Sequence, residues 1–171
     1  LDEVGKGFEQ KKIYLPQLLM SAEAAKCAFE QIKLSAKDGA ASSKVGFPVV
    51  LATVKGDVHD IGKNIVKLLL ENYGYDVVDL GKDVPKEKIV DAVRRLNAPI
   101  AGLSALMTTT VPAMEETIEL LRKEAPGCKV VVGGAVLTEE YAQKIGADKY
   151  SADAMETVRY AERLHMDRDG R

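Results

Sequence analysis

The residues with the most chemistry in them are Asp57, His59 and Asp60, in the stretch KGDVHDIGKN (55–64), where one of only two histidines in 171 residues stands between two aspartates. An imidazole that ligates a metal does so through a neutral nitrogen, and a carboxylate on its other ring N–H fixes the tautomer and raises the ligand's basicity. Asp57, two residues before His59 on an extended loop, can turn to the same side and supply that carboxylate. One histidine cannot hold a bare zinc ion, which takes about four ligands. No second histidine, cysteine or carboxylate cluster lies close enough in sequence to complete such a set. A metal that already carries most of its ligands in a macrocycle needs only one axial partner from the protein. The competing reading of His59 is a loop histidine with no role.

Two further stretches are unusual. GLSALMTTT (102–110) carries four hydroxyl residues in nine positions, Ser104, Thr108, Thr109 and Thr110, and Gly133-Gly134 offers bare backbone to which a ligand could run close. Cys27 and Cys128 are isolated, with no CxxC or Cys/His spacing, and read as reduced residues in or beside apolar segments.

These residues need elements to position them. From Pro48 onward, β-branched runs (48–54, 75–81, 99–106, 129–135 and a weak 148–151) alternate with amphipathic segments (60–74, 85–97, 110–127, 138–146 and 153–164). Five β-α units in a row predict an α/β fold, a flavodoxin-like (Rossmann-like) five-stranded parallel sheet with helices on both faces. In such a sheet the ligand lies beyond the carboxyl ends of the strands, where strand order reverses between the first and third. The informative loops are therefore those after Val54 and Ala105, which are the unusual ones.

Ahead of this domain (48–171), residues 1–36 read as helical, with apolar residues at mixed spacings of three and four and Pro16 suited to an early helical turn. Two helices make a poor core alone, so this is expected to be part of a helical bundle. Residues 37–47 are small, polar and glycine-bearing, and read as a linker. Net charge is −2, with 24 basic and 26 acidic residues interspersed, which argues against nucleic acid as a partner. No apolar run approaches the roughly 20 residues that span a bilayer, so no membrane partner is expected and the cytoplasm is the expected location.

Asp57-Val58-His59-Asp60-Ile61-Gly62 resembles the Asp-x-His-x-x-Gly motif of corrinoid (vitamin B12) binding domains. Ser104-Ala105-Leu106 resembles their Ser-x-Leu after the third strand, and Gly133-Gly134 their Gly-Gly after the fourth. The first motif alone is weak; three in order, each at the end of the expected strand, are specific. Residues 4–21 further resemble the later half of the helical cap of methionine synthase and of stand-alone corrinoid proteins, and the cap residues that cover the corrin in that family map onto Phe8 and Leu15.

The resemblance implies a corrinoid (methylcobalamin or a related cobamide) bound base-off, with His59 as lower axial ligand to cobalt and the detached nucleotide tail in a slot beside the first and third strands. It implies that Gly62 lets the helix approach the tail, that Ser104 bonds the lower base, that Thr108 makes a further tail contact, and that Gly133 and Gly134 leave room. Asp60, Ile61 and Leu106, which lie within these motifs, are expected to contact the cofactor as well. Thr110 matches a hydroxyl that extends His59 and Asp57 into a relay, where the family often has serine. In that relay, methyl-Co(III) keeps the histidine and Co(I) releases it, and His59 with Asp57 takes up a proton. Thr109 is read as a helix cap, and Asp60 as a hydrogen-bonding partner to the start of its own helix. His165 is read as a solvated residue of a polar tail.

The function expected is thus a methyl-carrier subunit, incomplete as a catalyst, serving a substrate-specific methyltransferase and a methyl-accepting one. The closest alternative is a cobalamin-binding fragment of methionine synthase. No reactivation domain follows Leu164, and the opening at Leu1, inside the cap, implies residues upstream. Adenosylcobalamin mutases carry the same motifs beside a catalytic barrel not found in this chain. A B12-sensing regulator would add a DNA-binding helix-turn-helix, and a two-component receiver would need an acidic acceptor where Ser104 stands.

Overall fold

The computed structural model describes residues 2–14, 16–18, 20, 21, 24 and 46–169. After α1 (Asp2–Glu9), the main domain runs β1 (Pro48–Thr53), α2 (Ile61–Asn72), β2 (Asp76–Asp79), α3 (Lys86–Leu96), β3 (Ile100–Ser104), a 3-10 turn (Thr108–Thr110), α4 (Val111–Glu124), β4 (Lys129–Gly133), α5 (Glu139–Lys144), β5 (Lys149–Tyr150) and α6 (Ala154–Asp169). The strands form one sheet in the order β2-β1-β3-β4-β5, and every neighbouring pair is parallel. This is the flavodoxin-like order, with its reversal between β1 and β3.

Successive strand side chains point to opposite faces, and β1 shows the consequence. Val50 and Ala52 join α3 and α4 (Ile89, Val93, Met114, Ile118, Leu121) in one core, while Val49 and Leu51 join α2 and α6 (Leu69, Leu70, Met155, Val158) in the other. Leu18, from the helical stretch after α1, is buried in this second core, with Val4 and Phe8 packed beside it. Fully burying a leucine or isoleucine contributes roughly 1.5–3 kcal/mol.

α2 is buried unevenly. Ile61 and Gly62 are exposed, Ile65 and Val66 half-buried, and Leu69 and Leu70 buried. The helix therefore packs tightly at its C-terminal end and stands away from the sheet at its start, which leaves a slot.

Three of the departures from the sequence pattern bear on the site or its surroundings. β2 stops at Asp79, whose side chain accepts the Gly81 N–H at 2.9 Å across a turn in which Gly81 has φ +89°. β3 stops at Ser104: the Ala105 N–H still donates to the Gly133 carbonyl at 3.2 Å, but those of Leu106 and Met107 turn toward a side chain, as described below. α6 continues to Asp169, and His165 is not a solvated tail residue: it is half-buried, its ring centroid 6.0 Å from that of Phe47.

Candidate functional site

The loop after β1 turns at Gly56 (φ +84°), a conformation that glycine adopts without strain. Asp57 follows, fully buried, and its carboxylate organises everything around it. Oδ1 accepts the His59 backbone N–H at 3.0 Å and lies 2.8 Å from His59 Nδ1. Oδ2 accepts the N–H groups of Leu106 (2.7 Å) and Met107 (3.3 Å) and the Thr110 hydroxyl (2.8 Å). One buried carboxylate thus ties the loop after β1 to the loop after β3, and it is what ends β3.

Burial pushes the Asp57 carboxyl up. The N–H groups of His59 and Leu106, then the His59 ring and the Thr110 hydroxyl, outweigh it and hold the group well below the usual carboxylate range. An ionised Asp57 can only accept, so His59 Nδ1 carries a proton, and in the neutral imidazole the lone pair is left on Nε2. The His59 side chain is 47% exposed, and Nε2 is the nitrogen left for a ligand. Thr110 Oγ1 also lies 2.8 Å from the Met107 carbonyl oxygen, so its one proton serves two acceptors. Further bonds brace the loop: Thr53 Oγ1 donates to the His59 carbonyl at 3.2 Å, and Asp83 accepts the Gly56 N–H at 2.8 Å and pairs with Lys55 at 3.0 Å.

Below His59 the slot opens into a cavity of about 570 Å³ across the carboxyl ends of the strands, and Phe8 of α1 also lines it. His59, Asp60, Ile61, Gly62, Ser104, Leu106, Gly133 and Gly134, all singled out in the sequence, line this one space. Asp57 and Thr110 lie behind it, buried. Thr108 and Thr109 are exposed and outside the lining, and the position capping α4 is Thr110, without a side-chain cap bond. Asp60 occupies the N-cap of α2 but makes no side-chain bond to that helix, contrary to the sequence expectation; its φ of −127° and ψ of 2° leave it facing the cavity instead. Leu15 and Cys27 lie outside the described residues. Cys128 is buried, and burial pushes its thiol up to about 12, so it is inert.

The two glycines of the pair do different work. A Cβ on Gly134 (φ +147°) would sit 1.8 Å from the Ala105 carbonyl oxygen, whereas one on Gly133 would meet only the Ser151 carbonyl oxygen at 3.4 Å. Gly134 is demanded by the backbone, and Gly133 is not.

Sequence reasoning missed several lining residues. Gly102 faces the cavity from within β3, and an isolated glycine in a strand was a usable signal. Lys63 is 2% exposed at its side chain, bonded to Asp79 (2.7 Å) and Asn64 (2.8 Å), and pins the raised start of α2 to the end of β2. Burial raises the Asp79 carboxyl, but Lys63 and the Gly81 N–H hold it below its ordinary value. Ser151, at the end of β5, also lines the cavity and carried no motif.

Among the described residues, no group of three or more histidine, cysteine or acidic side chains could hold a metal ion, so a metal at His59 would have to bring most of its own ligands. No helix among them is long and apolar enough to cross a membrane.

Comparison with known proteins adds the following. Residues 48–159 match a family model described as B12 binding domain, and residues 1–33 match a second model of that description. The chain is 46% identical to dimethylamine corrinoid protein 1 of Methanosarcina acetivorans, over 96% of its own length and 78% of that protein. It is similar to the crystal structure of a cobalamin-binding protein from Desulfitobacterium hafniense DCB-2 (TM-score 0.80, 36% identity, 94% of this chain and 75% of that one). It is also similar to a chain in the methanol:cobalamin methyltransferase complex of Methanosarcina barkeri (TM-score 0.79, 32% identity, 94% of this chain and 61% of that one).

Proposed function

The chain belongs to the family of corrinoid proteins with B12 binding domains, and on that premise we propose that His59 is its lower cobalt ligand and that the methyl groups it carries come from dimethylamine. It is a methyl-carrier corrinoid protein of a methyltransferase system. When bound, the corrinoid's cobalt takes up and gives away the methyl group, and the protein supplies ligation, orientation and access.

The residues fit such a group. His59 offers one neutral nitrogen and no companion ligands, as a macrocycle requires. Exposed apolar side chains surround it, Val58, Ile61 and Leu106, a surface suited to a broad flat ring. A Cβ on Gly62 would meet nothing within 4 Å, so the start of α2 leaves free room beside the slot where a tail could pass. The observation that carries the reading is the His59 Nδ1 to Asp57 Oδ1 contact of 2.8 Å at the mouth of that slot.

In this reading Asp57 holds the Nδ1 proton, and Thr110 steadies the carboxylate from the far side. With no ligand on it, Nε2 would be open to a proton, and an imidazolium at His59 would form a charge-assisted pair with Asp57. Ser104 and Gly133 would contact the tail, and Phe8 of α1, which lines the cavity, would help to cover the corrinoid. The dimethylamine assignment draws on relatives named for that substrate. The partners are a methyltransferase that loads the carrier and another that unloads it; the similar chain in a methyltransferase complex supports the first.

Absorption spectra of the protein reconstituted with methylcobalamin test the ligand. His59→Ala is expected to keep some corrinoid through the tail while its spectrum shifts to the form without histidine. An unchanged histidine-ligated spectrum in the variant would remove His59 from the role. Methylation of the carrier by a dimethylamine-specific methyltransferase, compared with methanol- and trimethylamine-specific ones, tests the donor.

A further inference from the structure

Ser151 is 8% exposed, lines the cavity, and its Oγ has no hydrogen-bond partner. Buried hydroxyls are almost always paired, and no protein group pairs this one, so it is open to a partner from outside the chain. Its place in the sheet says where. Ser104 on β3 is in register with Gly133 on β4, and Val132 is in register with Tyr150 on β5. Ser151, whose N–H donates to the Val132 carbonyl at 2.9 Å, therefore comes level with Gly133. Ser104, Gly133 and Ser151 form one row across the sheet, all facing the cavity.

The row is a hydroxyl, a bare position and a second hydroxyl, spanning two strand spacings, about 10 Å. Its surroundings are mostly apolar, Leu51, Val131, Ile65, Val66 and Ala154, with Asp153 and Thr157 the polar side chains that line the cavity beside it. A flat two-ring heterocycle lying over Gly133 would have one edge at Ser104 and the other at Ser151. In an apolar slot, a lone unpaired hydroxyl discriminates strongly between a ligand edge that can pair with it and one that cannot.

We propose that Ser151 contacts the heterocycle at the end of the corrinoid's nucleotide tail, and that it makes the slot favour a base with a hydrogen-bonding group on the edge facing β5 over one that ends there in hydrocarbon. The proposal rests on the reading that the tail occupies this slot, and names the residue that selects among tails.

The test is the equilibrium affinity of the full chain, followed by absorbance, for three corrinoids: a cobamide whose base is adenine, one whose base is 5,6-dimethylbenzimidazole, and cobinamide, which has no base. Ser151→Ala is expected to weaken the adenine cobamide about five- to tenfold, the loss of one hydrogen bond in an apolar site, and to leave the dimethylbenzimidazole cobamide within about twofold. The variant removes an unpaired hydroxyl and should fold; Ser151→Cys, close in shape but a weak donor, is the second variant and should behave in the same way. If both variants leave the two cobamides unchanged, or weaken them equally, while cobinamide binds far more weakly than either, Ser151 is not the selector and the slot reading stands. If cobinamide binds wild type as tightly as the complete cobamides, the tail does not use the slot and both readings fall.

Discussion

The loop that carries His59 and the slot beneath it are built by opposite rules. In the loop, polar atoms are paired within the protein: the Asp57 carboxylate alone accepts from His59, Leu106, Met107 and Thr110. In the slot the walls are mostly apolar, a Cβ on Gly62 would meet nothing within 4 Å, and the buried Ser151 hydroxyl has no partner within the protein. The loop holds its geometry through its own hydrogen bonds. The slot presents apolar walls that a guest could pack against. Substitutions in the loop should therefore cost folding, and those in the slot should cost binding.

The largest effect should come from Asp57→Ala. It strands the backbone donors of His59 and Leu106, at about 1–3 kcal/mol each, while the Thr110 hydroxyl keeps the Met107 carbonyl, so denaturant unfolding should show a loss of roughly 2–6 kcal/mol. A loss below about 1 kcal/mol would mean that the carboxylate does not organise the loop. Lys63 stands where the regions meet, and Lys63→Met should cost about 3 kcal/mol, because the partly buried Asp79 loses its nearest cation. The adjacent glycines sharpen the contrast. Gly134→Ala should destabilise by more than about 1 kcal/mol, whereas Gly133→Ala should leave the unfolding midpoint nearly unchanged and lower corrinoid affinity. Equal loss of stability in both would erase the distinction between loop and slot.

The smallest effect is on pH dependence. Asp57 is held below its ordinary 3.8, so the folded protein binds fewer protons there than the unfolded chain. Its contribution is complete above the ordinary carboxylate range and is lost as pH falls through that range toward the folded value. Unfolding midpoints between pH 7 and pH 3 should decline on the acid side for wild type and decline less for Asp57→Asn. Parallel curves would assign the acid limb to other depressed carboxylates, Asp79 and Asp148 among them.

Local patterns were legible in the sequence wherever the chemistry was local. Asp57 and His59 are two residues apart, and their contact could be foreseen from that spacing. The alternation of β-branched runs and helical periods led directly to the parallel sheet. Partners far apart in sequence were not legible. Asp57 meets the Leu106 N–H across 49 residues, and nothing in either segment alone says that β3 must end to make that bond. Ser151 stands at the end of a two-residue strand with no motif about it, and only strand register sets it level with Gly133.

By itself, the sequence determined the order of elements, the switch point where a ligand would lie, and the histidine with its carboxylate. These follow from periodicities of two and 3.6 and from contacts within a few residues. The tertiary structure alone decided that α2 stands off the sheet at its start, that Gly134 is a backbone requirement while Gly133 would tolerate a Cβ, and that the Ser151 hydroxyl is buried without a protein partner. Those are properties of the space between elements, and such space is set by how packed surfaces meet rather than by any one stretch of chain.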